Sequence, residues 1–149
     1  MSKAQVISGS YRDPAGQVYE CDGHILRAIH RYGSAAYEAA RDAGVIQKAI
    51  GDGYLIDCKE LPTAVWPAEL STASYVVEHP RLPYISYPYE WSFSQLKAAA
   101  LHHLNFQLML LDHGFKLTDA SAYNIQFVGV KPIFIDLLSI APYVEGEFW

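Results

Sequence analysis

The chain has 149 residues, of which 51% are hydrophobic, and it carries a formal net charge of −5. A chain of this length and hydrophobic content can bury one core, so we expect residues 1–149 to form a single domain, or else a fragment of a longer protein. The negative net charge and the scattered Lys and Arg residues disfavour nonspecific binding to nucleic acid.

The sequence also indicates where in the cell the protein is expected. No apolar run is long enough to span a membrane, and the first residues lack the apolar region of a signal peptide. We therefore expect a soluble, cytoplasmic protein. Cys21 and Cys58 lie far apart and outside any CxxC spacing, which indicates neither a zinc site nor a disulfide framework.

The first part of the chain predicts a small antiparallel sheet. Asp22-Gly23 separates two alternating apolar runs, and this pair is a strong hairpin signal because both turn positions tolerate a positive φ. The loop over 8–16 is rich in small residues and is a weak candidate for binding a phosphate. We expect strands over residues 6–7, 17–21, 24–29, 54–58, 74–78 and 84–87.

Two helical stretches are predicted. The first runs over 34–50 with Ser34 as its N-cap and a break at Gly44, and a connection over 62–70 is expected to be exposed. The second and longer helix begins after Ser92, which forms a capping box with Gln95, and ends near Gly114. Its apolar residues occur on nearly every face, which predicts a helix buried on both sides.

A two-stranded ribbon is expected after the long helix. The strands are predicted over 125–128 and 132–135, with a turn at Gly129 between them. Antiparallel neighbours joined by a tight turn bring their outer ends together. The sequence thus predicts an α+β fold in which a small sheet and a helix precede a long buried helix and a β-ribbon.

Three polar residues flank this ribbon and form the candidate site. Asp119, Asn124 and Asp136 lie on short loops between apolar runs. Two carboxylates and an amide suit a hard cation such as Mg²⁺. A purely structural alternative remains open, in which Asp119 and Asp136 act as caps and Asn124 as a turn residue.

A D-x-x-x-x-N pattern begins at Asp119 and is followed by an apolar strand that ends in Asp136. This pattern and the order of the predicted elements resemble the protein-kinase-like fold and its aminoglycoside-phosphotransferase branch. The resemblance implies that Asp119 accepts the proton of a substrate hydroxyl. It also implies that Asn124 and Asp136 hold Mg²⁺ on the phosphates of ATP.

The same resemblance assigns the remaining cofactor-binding residues. It implies that Arg27 takes the place of the phosphate-pairing lysine, that Glu38 pairs with it, and that the backbone around Tyr87 faces an adenine. The chain departs from the family pattern, because Arg is not equivalent to Lys at such a position. Leu117 stands where His is usual, and Asp136 is followed by two leucines without the usual glycine.

The segments SYRDPAGQVY, YPYEWSFSQLK, LTDASAYNIQF and FIDLLSI resemble the N-terminal region of bacterial proteins that continue into a class I S-adenosylmethionine-dependent methyltransferase domain. The resemblance implies that the chain is an N-terminal fragment and that its partner is a methyltransferase domain in the same polypeptide. S-adenosylmethionine would bind only in that further domain, because these residues contain no glycine-rich cofactor motif.

Two functional hypotheses follow. In the first, the chain is a degenerate kinase-like accessory or regulatory domain, a pseudokinase without catalysis of its own, attached to the methyltransferase. In the second, it is an active Mg-ATP-dependent phosphotransferase that acts on a hydroxyl of a small molecule or a protein.

Overall fold

A computed structural model describes residues 3–7 and 13–147 of the chain. The loop predicted over 8–16 as a phosphate-binding element lies mostly outside these residues. The fold is mixed α+β, with a small antiparallel sheet and three helices in the described residues. The chain divides into two compact units, one formed by 1–35 and 57–81 and the other by 36–56 and 82–149.

The first unit contains a five-stranded sheet in the order β1-β2-β3-β5-β4, in which every neighbouring pair is antiparallel. Its central strand β3 lies between β2 and β5, so both of its edges are hydrogen-bonded. The strands are β1 (Gln5–Val6), β2 (Gly16–Cys21), β3 (His24–Ile29), β4 (Lys59–Glu60) and β5 (Tyr75–His79).

The predicted hairpin at Asp22-Gly23 is confirmed. The two strands pair from Gly16 opposite Ile29 to Cys21 opposite His24. Asp22 and Gly23 adopt φ values of 50° and 85°, which is the double positive φ that a two-residue hairpin turn requires.

The connection between β4 and β5 is mostly exposed, as predicted over 62–70. Pro67 and Leu70 are the buried exceptions, and Leu70 is only 1% exposed. Two 3₁₀ turns, Thr63–Val65 and Ala68–Leu70, carry Leu70 into the core of this unit. The core contains Ala4, Tyr19, Cys21, Leu26, Ala28, Leu70 and Val76.

The first predicted helical stretch forms two helices, α1 (Arg31–Asp42) and α2 (Val45–Gly51). Gly44 separates them with a φ of 73°, as predicted. The prediction of Ser34 as the N-cap is wrong, because α1 begins three residues earlier. Ser34 lies inside the first turn, where its hydroxyl donates to the Arg31 carbonyl at 3.1 Å.

The long helix α3 (Phe93–Asp112) and its predicted ends are confirmed. The Ser92 backbone N–H donates to Gln95 Oε1 at 2.9 Å, and the Gln95 N–H donates to the Ser92 hydroxyl at 3.3 Å. These reciprocal bonds satisfy donors that a helix N-terminus leaves without intrahelical partners. Gly114 follows the helix with a φ of 76°, which glycine adopts at low cost.

The prediction that α3 is buried on both sides is wrong. Phe106 and Leu110 are fully buried, but Leu104 and Leu108 are 49% and 61% exposed. One side of the helix packs on other residues of the second unit, and an apolar side faces solvent. Hydropathy identified the apolar residues but gave no information about which of them have neighbours.

Two two-stranded ribbons complete the second unit. Strand β6 (Phe115–Leu117) pairs with β9 (Ile140–Pro142), and β7 (Ile125–Val128) pairs with β8 (Lys131–Phe134). The predicted turn at Gly129 is confirmed, with a φ of 62°.

The strands predicted over 54–58 and 84–87 do not form. Leu55 makes one isolated parallel bridge to Phe134, so the first segment follows β8 only briefly. In the second segment, Ser86 hydrogen-bonds to the side chain of Gln126 through both its N–H and its carbonyl. A side-chain amide therefore takes the place of a neighbouring strand. In the described part of the chain, no helix is long and apolar enough to cross a membrane.

Candidate functional site

The ribbon formed by β7 and β8 places Asn124 and Asp136 at one end. Ile125 pairs with Phe134 at that end of the ladder, and Asn124 directly precedes Ile125. The pairing continues one step further, because the Ile135 N–H donates to the Asn124 carbonyl at 2.8 Å. Asp136 is therefore the next residue along the backbone from this contact.

Asp119 lies in the loop before the ribbon and is connected to Asn124. The Asn124 amide donates to the Asp119 carbonyl at 3.4 Å. The Asp119 side chain is exposed, and its Oδ1 accepts the backbone N–H of Ser121 at 2.9 Å. This bond closes a side-chain turn that fixes the start of the loop.

Asp136 is half-buried and also bonds locally. The Ser139 hydroxyl donates to Asp136 Oδ2 at 2.5 Å. The Ser139 carbonyl in turn accepts the Thr118 N–H at 2.7 Å and its hydroxyl at 3.2 Å. A continuous set of hydrogen bonds thus leads from Asp136 through Ser139 to the residue before Asp119.

The site therefore brings two aspartates and one asparagine into one loop cluster. Oxygen donors of this kind suit a hard cation. One carboxylate oxygen of each aspartate already accepts a hydrogen bond from within the cluster. In residues 3–7 and 13–147, no group of three or more His, Cys, Asp or Glu side chains is suited to hold a metal ion.

Arg27 and Glu38 lie in different compact units. Arg27 is on β3, directly between its register partners Val18 on β2 and Val77 on β5. Its side chain is buried, with 8% of the residue exposed. Glu38 is half-buried on α1. The phosphate-pairing role of the two residues remains a prediction.

The segment around Tyr87 is held by its own residues. The Tyr87 N–H donates to Glu90 Oε2 at 2.8 Å, and the Tyr87 carbonyl accepts the Glu90 N–H at 2.8 Å. The rings of Tyr87 and Tyr89 stack at a centroid distance of 5.6 Å. These bonds stabilise a 3₁₀ turn, Pro88–Glu90. The adenine-facing role remains a prediction.

The sequence reasoning missed Gln126, which connects this segment to the ribbon. Gln126 is 3% exposed and bonds to both the N–H and the carbonyl of Ser86 at 2.9 Å. Trp91 strengthens the link, because its indole N–H donates to the Ser86 hydroxyl and its ring meets Phe127 edge-on. The sequence did contain a signal for this residue, because Gln126 is a polar residue within the otherwise apolar strand β7.

A buried histidine, His103, lies on the inner side of α3. It is 7% exposed, and its Nε2 has no hydrogen-bond partner among the described residues. Burial lowers the pKa of His103, and nearby His102 lowers it further, whereas the Asp119 carboxylate opposes the shift. The ring packs edge-on against Phe134 at 5.3 Å. The neutral imidazole is therefore the favoured form.

Comparison with known proteins gives one informative similarity. No protein-family model matches the chain. The chain is 46% identical over 143 residues to the nodulation protein NoeA of Rhizobium meliloti (strain 1021). The alignment includes 96% of this chain but only 30% of NoeA. The chain is thus similar to a part of a longer protein and spans less than a third of that relative's length.

Proposed function

We propose that the chain is a kinase-like accessory domain without catalysis of its own, and that it serves a class I S-adenosylmethionine-dependent methyltransferase domain in a longer polypeptide. The observation that carries this proposal is the similarity of nearly the whole chain to less than a third of NoeA. A segment that accompanies a larger protein is expected to support the activity of the rest.

The kinase-like part of the proposal draws on the order of elements. An antiparallel sheet with a helix is followed by the Tyr87 segment, by α3 and then by the ribbon that carries Asn124 and Asp136. This is the order in which a kinase-like protein presents its nucleotide site and its catalytic loop.

The non-catalytic part draws on the bonds within the candidate site. Asp119 Oδ1 accepts from Ser121, and Asp136 Oδ2 accepts from Ser139. In a working phosphotransferase, the corresponding carboxylates orient a substrate hydroxyl and hold Mg²⁺. Leu117 in place of the usual histidine and the missing glycine after Asp136 also favour a site that has become structural.

Titration calorimetry with Mg-ATP tests whether the candidate site has lost metal-dependent nucleotide binding. We expect no magnesium-dependent binding to the wild-type chain and the same result for Asp136→Ala. Asp112→Ala is the matched control, since it removes an exposed carboxylate at the end of α3. Binding that is present in the wild type and in Asp112→Ala but lost in Asp136→Ala would contradict the proposal.

A second candidate function is active phosphotransfer from Mg-ATP to a hydroxyl. The contact of the Asn124 amide with the Asp119 carbonyl favours it, because that contact and the ribbon pairing gather all three site residues. Asn124 and Asp136 would hold Mg²⁺, and Asp119 would accept the proton of the acceptor hydroxyl. ATP turnover that Asp119→Asn abolishes while ATP binding is retained would establish this function.

The methyltransferase part of the proposal has its own test. Full-length NoeA is expected to bind S-adenosylmethionine in equilibrium dialysis, and this chain is expected not to bind it. If NoeA fails to bind the cofactor, the methyltransferase assignment is wrong, although the chain could still assist another activity.

A further inference from the structure

The helix α3 exposes a long apolar surface. We call this surface the outer face of α3. Leu108 is 61% exposed and Leu101 is 50% exposed, although leucine is among the residue types most often buried. The outer face consists of Phe93, Leu96, Ala100, Leu101, Leu104, Leu108 and Leu111.

The spacing of these residues makes the outer face continuous. Residues three and four positions apart are neighbours on a helix surface. Leu101, Leu104, Leu108 and Leu111 follow that spacing, and Leu96 and Ala100 extend it toward the N-terminus of α3. The exposed Lys97 separates Phe93 from Leu101 at that end. A contiguous exposed apolar patch marks an interaction surface, whereas single exposed apolar residues do not.

A groove of about 460 Å³ adjoins the outer face. One wall is formed by α3, and the other includes Lys116 on β6 and Tyr143 just after β9. An ion pair between Lys116 and Glu147 lies in this groove. The lining residues are Leu104, Gln107, Leu108, Leu111, Lys116, Tyr143 and Glu147.

We infer that the outer face of α3 and this groove form the surface on which the adjoining domain of the same polypeptide docks. The inference rests on the proposed function, because it requires a longer polypeptide. More than two thirds of NoeA lies outside the part that aligns with this chain. A protein of that length contains ample surface to cover one helix face.

A covalently attached domain suits this surface better than a separate partner does. A domain in the same polypeptide meets the outer face and the groove at a high effective concentration. Such a domain would present an apolar docking surface to the exposed leucines, with polar groups near Lys116 at its rim.

A thiol-labelling experiment tests the docking. Leu108→Cys is introduced into this chain, and Cys is placed at the aligned position of full-length NoeA. Val130→Cys and its NoeA counterpart are the matched control, because Val130 is 90% exposed in the turn between β7 and β8 and belongs to neither α3 nor the groove. The rate of maleimide labelling is measured for each peptide by mass spectrometry.

The native cysteines leave a low background in this chain. Cys21 is buried, and burial, together with the neighbouring Asp57 carboxylate, raises the pKa of Cys58 to about 11. A thiol with a raised pKa is largely protonated near neutral pH and reacts slowly.

We expect Leu108→Cys to be labelled rapidly in this chain and about 10-fold or more slowly in NoeA, because a covered thiol is inaccessible. Val130→Cys should react at similar rates in both proteins. Equal rates for the position-108 cysteine in the two proteins would overturn the inference. Slow labelling of this chain that speeds up on dilution would also overturn it, since a second copy would then cover the face.

The outcome is separable from that of the proposed function. Magnesium-dependent ATP turnover would defeat the non-catalytic assignment whether or not the face is covered. Equal labelling rates without ATP turnover would defeat only the docking surface. Leu108→Glu in this chain should leave its circular dichroism spectrum unchanged, which verifies that substitutions on the outer face do not unfold it.

Discussion

Both sides of α3 carry large apolar residues, but the environments of the two sides are opposite. The inner side carries Phe106 and Leu110, which are fully buried, and Phe106 packs on Tyr54 and Phe134. The outer face carries five leucines that are each at least 39% exposed. Apolar character therefore does not decide burial within this chain, because burial also requires an element to pack against.

The polar residues of the inner side strengthen this contrast. Gln107 is 5% exposed, and its Oε1 accepts the Leu117 N–H at 2.8 Å. His103 is likewise buried. The buried side of α3 thus includes polar groups that bond to the backbone or pack on rings, whereas the exposed side carries five leucines beside polar residues such as Lys97 and Asn105. The outer face is better explained by a partner than by the fold of this chain.

The largest expected effect is a difference in stability between alanine substitutions at Leu110 and Leu108, which lie two positions apart on α3. Leu110→Ala should destabilise the chain by about 2 to 5 kcal/mol, because it opens a cavity in a packed core. Leu108→Ala should change the free energy of unfolding by about 0.5 kcal/mol or less, because the side chain is already exposed. Urea unfolding of both variants measures the difference, and equal losses would contradict the assignment of the two sides.

A smaller loss is expected at the buried amide of the inner side. Gln107→Leu leaves the Leu117 N–H without its acceptor, which should cost about 1 to 3 kcal/mol. Asn105→Leu is the control, since it makes the same kind of replacement at an exposed position of α3. If both substitutions proved neutral in urea unfolding, the bond from Gln107 to β6 would have no role in stability.

The helix cap should contribute about as much as typical N-caps do. Ser92→Ala removes the acceptor of the Gln95 N–H and should cost about 1 kcal/mol. Ser92→Asp retains an acceptor at the N-terminus and should restore most of the stability. Thermal melting followed by circular dichroism distinguishes the two variants, and identical melting temperatures would contradict the capping role.

The smallest effect is a dependence of stability on pH that arises from the inner side. Burial lowers the pKa of both His102 and His103 from the ordinary value of 6.5. The folded state therefore binds fewer protons than the unfolded state below that pH, so the stability from these residues is complete above pH 6.5 and declines as the pH falls. His103→Leu should flatten this decline in urea unfolding, and an unchanged profile would contradict a buried neutral imidazole.

Local signals in the sequence predicted much of the fold. The Asp22-Gly23 hairpin, the break at Gly44, the Ser92 capping box and the turn at Gly129 each depend on residues that are adjacent or nearly so. The backbone conformations that such residues favour differ little from one protein to another. These features were therefore predicted correctly.

Features that depend on distant contacts were not predictable. The segment over 84–87 reads as a strand, but Gln126, forty positions away, binds Ser86 and replaces a strand partner. The burial of α3 was predicted from hydropathy, which cannot identify the side that lacks a neighbour. In the candidate site, residue types indicated Asp119, Asn124 and Asp136, but the bonds of the two carboxylates to Ser121 and Ser139 required the structure.

The central claim is that the outer face of α3 serves a domain beyond this chain. The most direct measurement compares the melting temperature after Leu108→Glu in this chain and after the same change at the aligned position of full-length NoeA. We predict no change in this chain and a decrease of several degrees in NoeA, because the new charge would be buried only there. An equal change in both proteins would contradict the account.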